Sequence, residues 1–179
     1  MSFEKISVLG LGRVGTLAAK LLCESGFNVT GYDRVAPNES LPFPVKDVDL
    51  TSPAELATEF ADAQAVLSCL PYSLNLVVAA AAHRAGIHYF DLTEDVGTTQ
   101  AIIEMSETSR ALMAPQCGLA PGFVGIVGAS HASAFDQCRS IRMRVGALPQ
   151  NPTGLLGYAF NWSPEGVVNE YLNDCEVIE

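Results

Sequence analysis

The 179-residue sequence has no run of apolar residues long enough for a membrane span, no C-x-x-C pair, no H-E-x-x-H pattern, no internal repeat and no low-complexity tract. Each absence removes a class of function. Without a run of about eighteen or more apolar residues there is no bilayer-crossing helix, and the N-terminus lacks the pattern of a secretory leader. The five cysteines, Cys23, Cys69, Cys117, Cys138 and Cys175, are odd in number and scattered. That spacing suits a reducing compartment and offers neither a disulfide framework nor a metal-ligand set. The three histidines, His83, His88 and His131, belong to no triad and read as structural or exposed. Positive charge is also scarce, with 10 Lys and Arg against 20 Asp and Glu and a net charge of −10. A nucleic acid or an anionic membrane surface is therefore a poor partner. The expectation is a soluble, cytoplasmic protein with no metal.

What the chain does have is apolar substance: 49% of its residues are hydrophobic and 17% charged, the balance of a packed globular protein. Lys5 to Leu9 is a short apolar run, followed at once by Gly10-Leu11-Gly12-Arg13-Val14-Gly15. A helical pattern comes next, with apolar residues at Val14, Leu17, Ala18, Leu21 and Leu22, and Gly26 stops it. A second strand runs from Asn28 to Tyr32 and ends at Asp33. A lone G-x-G-x-x-G is weak, but this one leaves a strand, opens a helix and is followed by an acidic residue at the end of the next strand.

The physics of that arrangement assigns roles. Gly10 permits the tight turn, Gly12 leaves room for a pyrophosphate to approach the backbone, and Gly15 lets helix and strand pack closely. The unpaired amides of Arg13, Val14 and their neighbours carry the positive end of the helix dipole toward the phosphates. Asp33 is placed to accept hydrogen bonds from the adenosine ribose, and its charge favours NAD, with NADP possible. Arg34 complicates that preference, because a guanidinium there could hold a 2′-phosphate or stack on adenine.

Strands and helices keep alternating. Arg34 to Pro44 is interrupted by prolines and reads as a loop; a third strand fits Val45 to Val48. Ser52-Pro53-Ala54-Glu55 has the form of a capping box, opening a helix to about Phe60. A fourth strand covers Ala65 to Leu70, and Ser73 caps a helix ended by Gly86. His88 to Leu92 forms a fifth strand, with a helix near Thr98 to Ser109 after it. Ala111 to Ala114 makes a sixth strand, and an apolar helix spans Phe123 to Ser133. The fold class is α/β, a doubly wound parallel sheet of the dinucleotide-binding (Rossmann) kind, with ligands at its carboxyl edge.

The grammar changes near residue 139. Ser140 to Val145 alternates, with Ile141, Met143 and Val145 on one face, as a half-exposed antiparallel strand does. An aromatic segment, Leu155 to Trp162, precedes a helix opened by Ser163-Pro164-Glu165, and Glu176 to Glu179 reads as another strand. About forty residues cannot bury a core alone. The expected division is a dinucleotide-binding domain at 1–138 and the beginning of a second α/β domain at 139–179. Its exposed apolar residues suggest a homo-oligomer.

Three further segments fall at the carboxyl edge. Cys69-Leu70-Pro71-Tyr72 turns beneath a bound cofactor. Asp91-Leu92-Thr93-Glu94-Asp95 concentrates carboxylates that could anchor an ammonium or take a proton from an amine; the simpler reading has Glu94 and Asp95 capping the next helix. Pro115 to Phe123, with two prolines and two glycines, makes a rigid turn into a helix. Its Cys117 is a candidate reactive thiol, or a small buried filler.

Together the segments VLGLGRVG with Asp33, SCLPYSLN, HYFDLTED, APQCGLAPGF and GALPQNPTGLLGYAFNWSPEG resemble the saccharopine dehydrogenase-like family. Its members include saccharopine reductases, lysine 6-dehydrogenases and carboxynorspermidine dehydrogenases. The likeness runs from Lys5 through Glu179; the C-G-x-x-P-G and N-W-S-P-E-G segments are its specific part. It implies NAD(P)-dependent oxidation or formation of a C–N bond in a lysine-type amino acid or amine. It also implies cofactor contacts from Gly10, Gly12, Arg13, Val14, Gly15, Asp33, Cys69 to Tyr72 and Thr93, and places Thr93, Glu94 and the Gly118 to Gly122 turn near the reacting atoms. Ala120 stands where saccharopine reductases tend to carry an acidic residue, which favours the lysine-dehydrogenase-like branch. The chain then reads as the front part of a longer enzyme that binds cofactor but turns over poorly. A rival resemblance, to the nucleotide-sensing regulatory domains of potassium-transport systems, rests on the glycine turn and Asp33-Arg34 alone.

Overall fold

Short β-rich runs separated by glycine, proline and capping residues leave the chain few ways to bury its apolar side chains, and it takes the doubly wound one. The computed structural model describes residues 4–172 other than 36, 147, 156 and 160–163. Six strands, β1 Lys5–Leu9, β2 Asn28–Tyr32, β3 Val45–Lys46, β4 Ala65–Ser68, β5 His88–Asp91 and β6 Met113–Ala114, pair in parallel in the order β3-β2-β1-β4-β5-β6. Registers Leu9 with Tyr32, Leu9 with Ser68, and Ser68 with Asp91 draw one row across the sheet at its carboxyl edge. The glycine turn, Asp33, the Cys69 turn and the Thr93 turn leave from that row, and Pro115 to Phe123 leaves from the adjacent end of β6.

Alternation along the strands separates two cores. Ile6, Val8 and Val29 face helix α1 (Arg13–Glu24), with Leu11, Ala19 and Phe43. Leu9, Tyr32, Val66 and Tyr89 face α2 (Pro53–Glu59), α3 (Tyr72–Ala85) and α4 (Val96–Ser106), packing on Leu56, Val78 and Ile102. The crossover from β2 to β3 is a loop, as the prolines foretold, and buried Phe43 does the covering that a helix would do. Two further helices, α5 (Phe123–Ala132) and α6 (Pro164–Leu172), follow the sheet. Among the described residues no helix is long and apolar enough to cross a membrane.

Several local expectations change. The apolar stripe of α1 does not all face inward: Gly15, Thr16 and Ala19 are buried, while Val14, Leu17 and Leu21 stay more than half exposed. The helix comes so close to the glycine turn that only its smallest side chains fit beneath it. Ser73 does not cap α3, because Pro71, at φ −54° and ψ 143°, takes the N-cap position and Ser73 falls inside the first turn. Strands β3 to β6 are shorter than read, and α4 starts two residues earlier, at Val96. Ser52 caps α2 by accepting the Glu55 amide at 3.4 Å, but Glu55 reaches the Asp49 amide, since the Ser52 amide already donates to the Asp49 carbonyl.

The clearest correction concerns Ser140 to Val145. Among the described residues it has no partner strand and forms no ladder; Ile141 and Met143 lie instead against Gly128 of α5. Alternation supplies a face, but a strand also needs a neighbour for its amides and carbonyls. Ile141, Met143 and Val145 remain about half exposed, and α5 buries none of its residues. The readings for Trp162 and for Glu176 to Glu179 lie outside the described residues.

The α2 cap gives a direct test of these local assignments. Ser52→Ala is expected to cost about 1 kcal/mol in urea unfolding, with the slope of the transition unchanged.

Candidate functional site

The glycine elbow is built by contact distances. Gly10 has φ +86° and donates its amide to the Tyr32 carbonyl at 2.9 Å, tying the turn to the end of β2. A Cβ on Gly15 would drive into the Gly10 carbonyl oxygen, so the helix can approach only with glycine there. Gly12 differs: a Cβ there would meet nothing within 4 Å, and its own φ is −69°. It is a position where space is left open rather than one where the fold demands the space. Gly12 is the N-cap of α1, no side chain caps it, and the first helical turn holds no acidic residue. An open groove of about 450 Å³ runs along this helix start, lined by Gly12, Arg13, Thr16, Lys20, Pro37 and Glu39. Exposed amides at the positive end of a helix suit an anion.

Asp33 closes the elbow. Its Oδ2 accepts the Leu11 amide at 2.7 Å and its Oδ1 accepts the Val35 amide at 3.1 Å. A carboxylate offers about four acceptor positions, so each oxygen keeps one for a further donor. Arg34 is exposed, and its charge is felt by Asp49. Across the groove Lys20 pairs with Glu39 at 2.7 Å, a link that no motif announced. Gly31 was also missed: a Cβ there would strike Leu11 and Phe43. A glycine inside a strand was the available signal.

The turn after β4 sits against this elbow. The Cys69 carbonyl and the Leu70 side chain lie 3.0 Å from where a Gly10 Cβ would stand, and the Cys69 amide donates to the Leu9 carbonyl at 2.8 Å. Burial pushes the Cys69 thiol up to about 12, which keeps it an inert filler. Pro71 is exposed and Tyr72 partly so.

The turns after β5 and β6 meet one another. Gly118 lies beside Leu92, and the Phe123 amide donates to the Gly118 carbonyl at 2.8 Å, folding residues 118–122 back onto themselves. Thr93 is buried and its hydroxyl accepts the Asp95 amide at 3.1 Å. Glu94 is partly buried. Asp95 caps α4, accepting the Thr98 amide at 2.7 Å, so the simpler reading of that carboxylate holds. Asp91 is not available to an ammonium at all. It is fully buried, with Oδ2 accepting the Tyr89 hydroxyl at 2.7 Å and Oδ1 accepting the amides of Thr93 at 2.9 Å and Gln116 at 3.1 Å. Burial holds its carboxyl above the ordinary range in spite of those donors. Cys117 is partly buried, its thiol donating to the Ala114 carbonyl at 3.4 Å. Burial, and then the Asp91 charge, raise its pKa, so the sulfur carries its proton.

A second cavity, of about 410 Å³, lies on the α2 side of the sheet, among Ser7, Thr30, Tyr32, Lys46, Glu59 and Asp62. Lys46 pairs there with Glu59 at 2.5 Å, and Glu59 also accepts the Tyr32 hydroxyl at 3.2 Å. Lys46 and Glu59 satisfy one another there, away from the helix start, so the elbow groove is the better candidate.

Comparison with known proteins matches residues 6–116, more than half the chain, to the family described as saccharopine dehydrogenase NADP binding domain. Among solved structures, the apo saccharopine dehydrogenase (L-Glu forming) of Saccharomyces cerevisiae superposes with a TM-score of 0.67 at 21% identity, over 92% of this chain. The chain spans 40% of that protein's length. The enzyme WbmH of Bordetella bronchiseptica, solved with NAD+, matches half as far: TM-score 0.43 and 22% identity over 50% of this chain and 38% of its own.

Two glycines of one motif should behave oppositely. Gly15→Ala is expected to cost about 3 kcal/mol of stability by overpacking, whereas Gly12→Val costs at most about 1 kcal/mol and leaves the circular dichroism spectrum unchanged. Asp91 gives a signed pH effect. Its raised pKa means the folded chain holds that proton more tightly than the unfolded one. Its contribution is full below the ordinary carboxyl pKa and is lost as pH rises through the raised value. Urea unfolding across that window should show this decline in the wild type, and Asp91→Asn should lack it.

Proposed function

The chain belongs to the family of saccharopine dehydrogenase NADP binding domains, and from that premise we propose that it is the coenzyme-binding part of an oxidoreductase acting on the C–N bond of a lysine-type amino acid or amine. The observation that carries this reading is the open elbow: an uncapped helix start with empty space over Gly12, next to a carboxylate with acceptor positions to spare. Those features fit a nicotinamide dinucleotide, and the family match does not favour the nucleotide-sensor reading.

The bound dinucleotide supplies the hydride acceptor or donor. The chain's residues bind and orient it. Amides at Gly12, Arg13 and Val14 hold the pyrophosphate, and Gly10 and Gly15 keep the elbow close to the sheet. Asp33 takes the adenosine ribose hydroxyls; its charge disfavours a 2′-phosphate, so NAD is preferred and NADP accommodated less well. Arg34, at the surface beside it, is the guanidinium a 2′-phosphate or an adenine face would meet. Cys69, Leu70, Pro71 and Tyr72 form the floor under the nicotinamide half. Thr93 fixes the next turn, and Glu94 receives the proton an amine must lose before hydride leaves the adjacent carbon. Cys117, as a protonated thiol, shapes the facing wall. The assembly is a homo-oligomer acting in the cytoplasm on a small-molecule substrate, and the exposed Ile141, Met143 and Val145 are the side chains it would bury.

Thermal-shift titration tests the reading. Saturation with NAD at one hundred times Kd is expected to add about 2.7 kcal/mol of stability, NADP less at equal concentration, and ATP little. Asp33→Ala should weaken NAD by about 1.5–3 kcal/mol and NADP less. Unchanged NAD affinity would show the ribose assignment to be wrong.

A further inference from the structure

Ser68, Asn75, Tyr89, Asp91 and Thr93 are all buried, none more than 3% exposed, yet all are polar. They form one connected line behind the carboxyl edge. The Ser68 hydroxyl donates to Oδ1 of Asn75 at 2.7 Å, and the Tyr89 hydroxyl lies 3.4 Å from the Asn75 carbonyl and 2.7 Å from Oδ2 of Asp91. Asp91 then spreads its remaining acceptors over two different turns. Oδ1 takes the amides of Thr93 and Gln116, and its main-chain carbonyl takes the Cys117 amide at 2.7 Å. Gln116 is held at φ +63°, a left-handed conformation that side chains with a Cβ resist. A backbone kept there with its amide aimed at a buried carboxylate is over-determined by its surroundings, as strained residues beside functional sites are.

We propose that Asp91 is the positioning residue for the nicotinamide half of the cofactor site, its carboxylate clamping the turns 92–95 and 116–122 into one wall through the amides of Thr93 and Gln116. The inference rests on the cofactor reading above and deepens it. The adenosine half is governed by Asp33 and the glycine elbow, which among the described residues share no side-chain hydrogen bond with this line. The two halves of the ligand are therefore held by separate devices: one at the end of β2, one at the ends of β5 and β6. Asp91 touches neither substrate nor cofactor. It acts through the two turns it joins, and an apolar or neutral replacement loosens them without disturbing the elbow.

The experiment compares two probes on the 179-residue chain: ADP-ribose, which has the adenosine half, both phosphates and the second ribose but lacks the nicotinamide ring, and NADH, whose nicotinamide fluorescence reports the environment of its ring. Asp91→Asn should leave ADP-ribose affinity within about two-fold and lower NADH affinity about ten-fold, the loss expected for hydrogen bonds to a charged group. The enhanced fluorescence of bound NADH should fall with it. Tyr89→Phe keeps the ring in the core and removes one donor to Asp91; it should show the same split, about three-fold on NADH. This variant stands in if Asp91→Asn does not fold. Equal weakening of both probes, or no change in either variant's NADH to ADP-ribose ratio, overturns the positioning role while leaving the cofactor reading intact. A wild-type chain that binds neither probe overturns the cofactor reading itself, and this inference falls with it.

Discussion

The contact between the backbone of Gly15 and the carbonyl of Gly10 governs most of what the molecule can do. It sets how near the first helix stands to the sheet, and so which residues of that helix are buried. Small side chains pass beneath, long ones are turned outward, and the helix start is left facing a groove with no side chain capping Gly12. The Gly10 amide on Tyr32 and the Leu11 amide on Asp33 then fasten the turn to the neighbouring strand. A compact elbow and an exposed set of amides are two results of one steric constraint.

The parts of this arrangement dictated by local chemistry were legible in the sequence. Strand, glycine turn, helix and terminal aspartate follow from periodicity and from the few residues that tolerate such a backbone. The proline-broken crossover and the Ser52 cap follow from equally local rules. What escaped was set by tertiary distance. Nothing in the spelling of α1 says that Leu17 and Leu21 face solvent, because that depends on how close Gly15 lets the helix come. Nothing in D-L-T-E-D separates a buried Asp91 from a capping Asp95, because the difference lies in Tyr89 and Gln116. The alternation at Ile141 to Val145 marked a face that Ile141 and Met143 use against α5, but among the described residues there is no second strand for it to pair with.

The buried polar line and the elbow show two ways of fixing a loop. At the elbow a carboxylate near the surface grips two amides and keeps acceptors free, so one group can serve both structure and ligand. In the interior the carboxyl of Asp91 accepts from Tyr89, Thr93 and Gln116, all of them protein donors. A buried carboxylate that lost its donors would carry the full cost of an unpaired charge, so its partners Tyr89, Thr93 and Gln116 are bound to it as strictly as it is to them. Those bonds fall where the turns after β5 and β6 meet.

One feature of the crossover from β2 to β3 bears on how such a domain can change over time. Phe43, with partly buried Leu41 packed against the same core, stands in for a whole helix on that flank, and Glu39 of the segment before it pairs with Lys20. Loop length there can drift by insertion or deletion without disturbing any strand register. If the dinucleotide lies as proposed, its adenosine end would face this surface loop, while the turns after β5 and β6 are tied to Asp91 by interior bonds. Divergence in coenzyme choice can then proceed by remodelling one short surface segment on an unaltered frame.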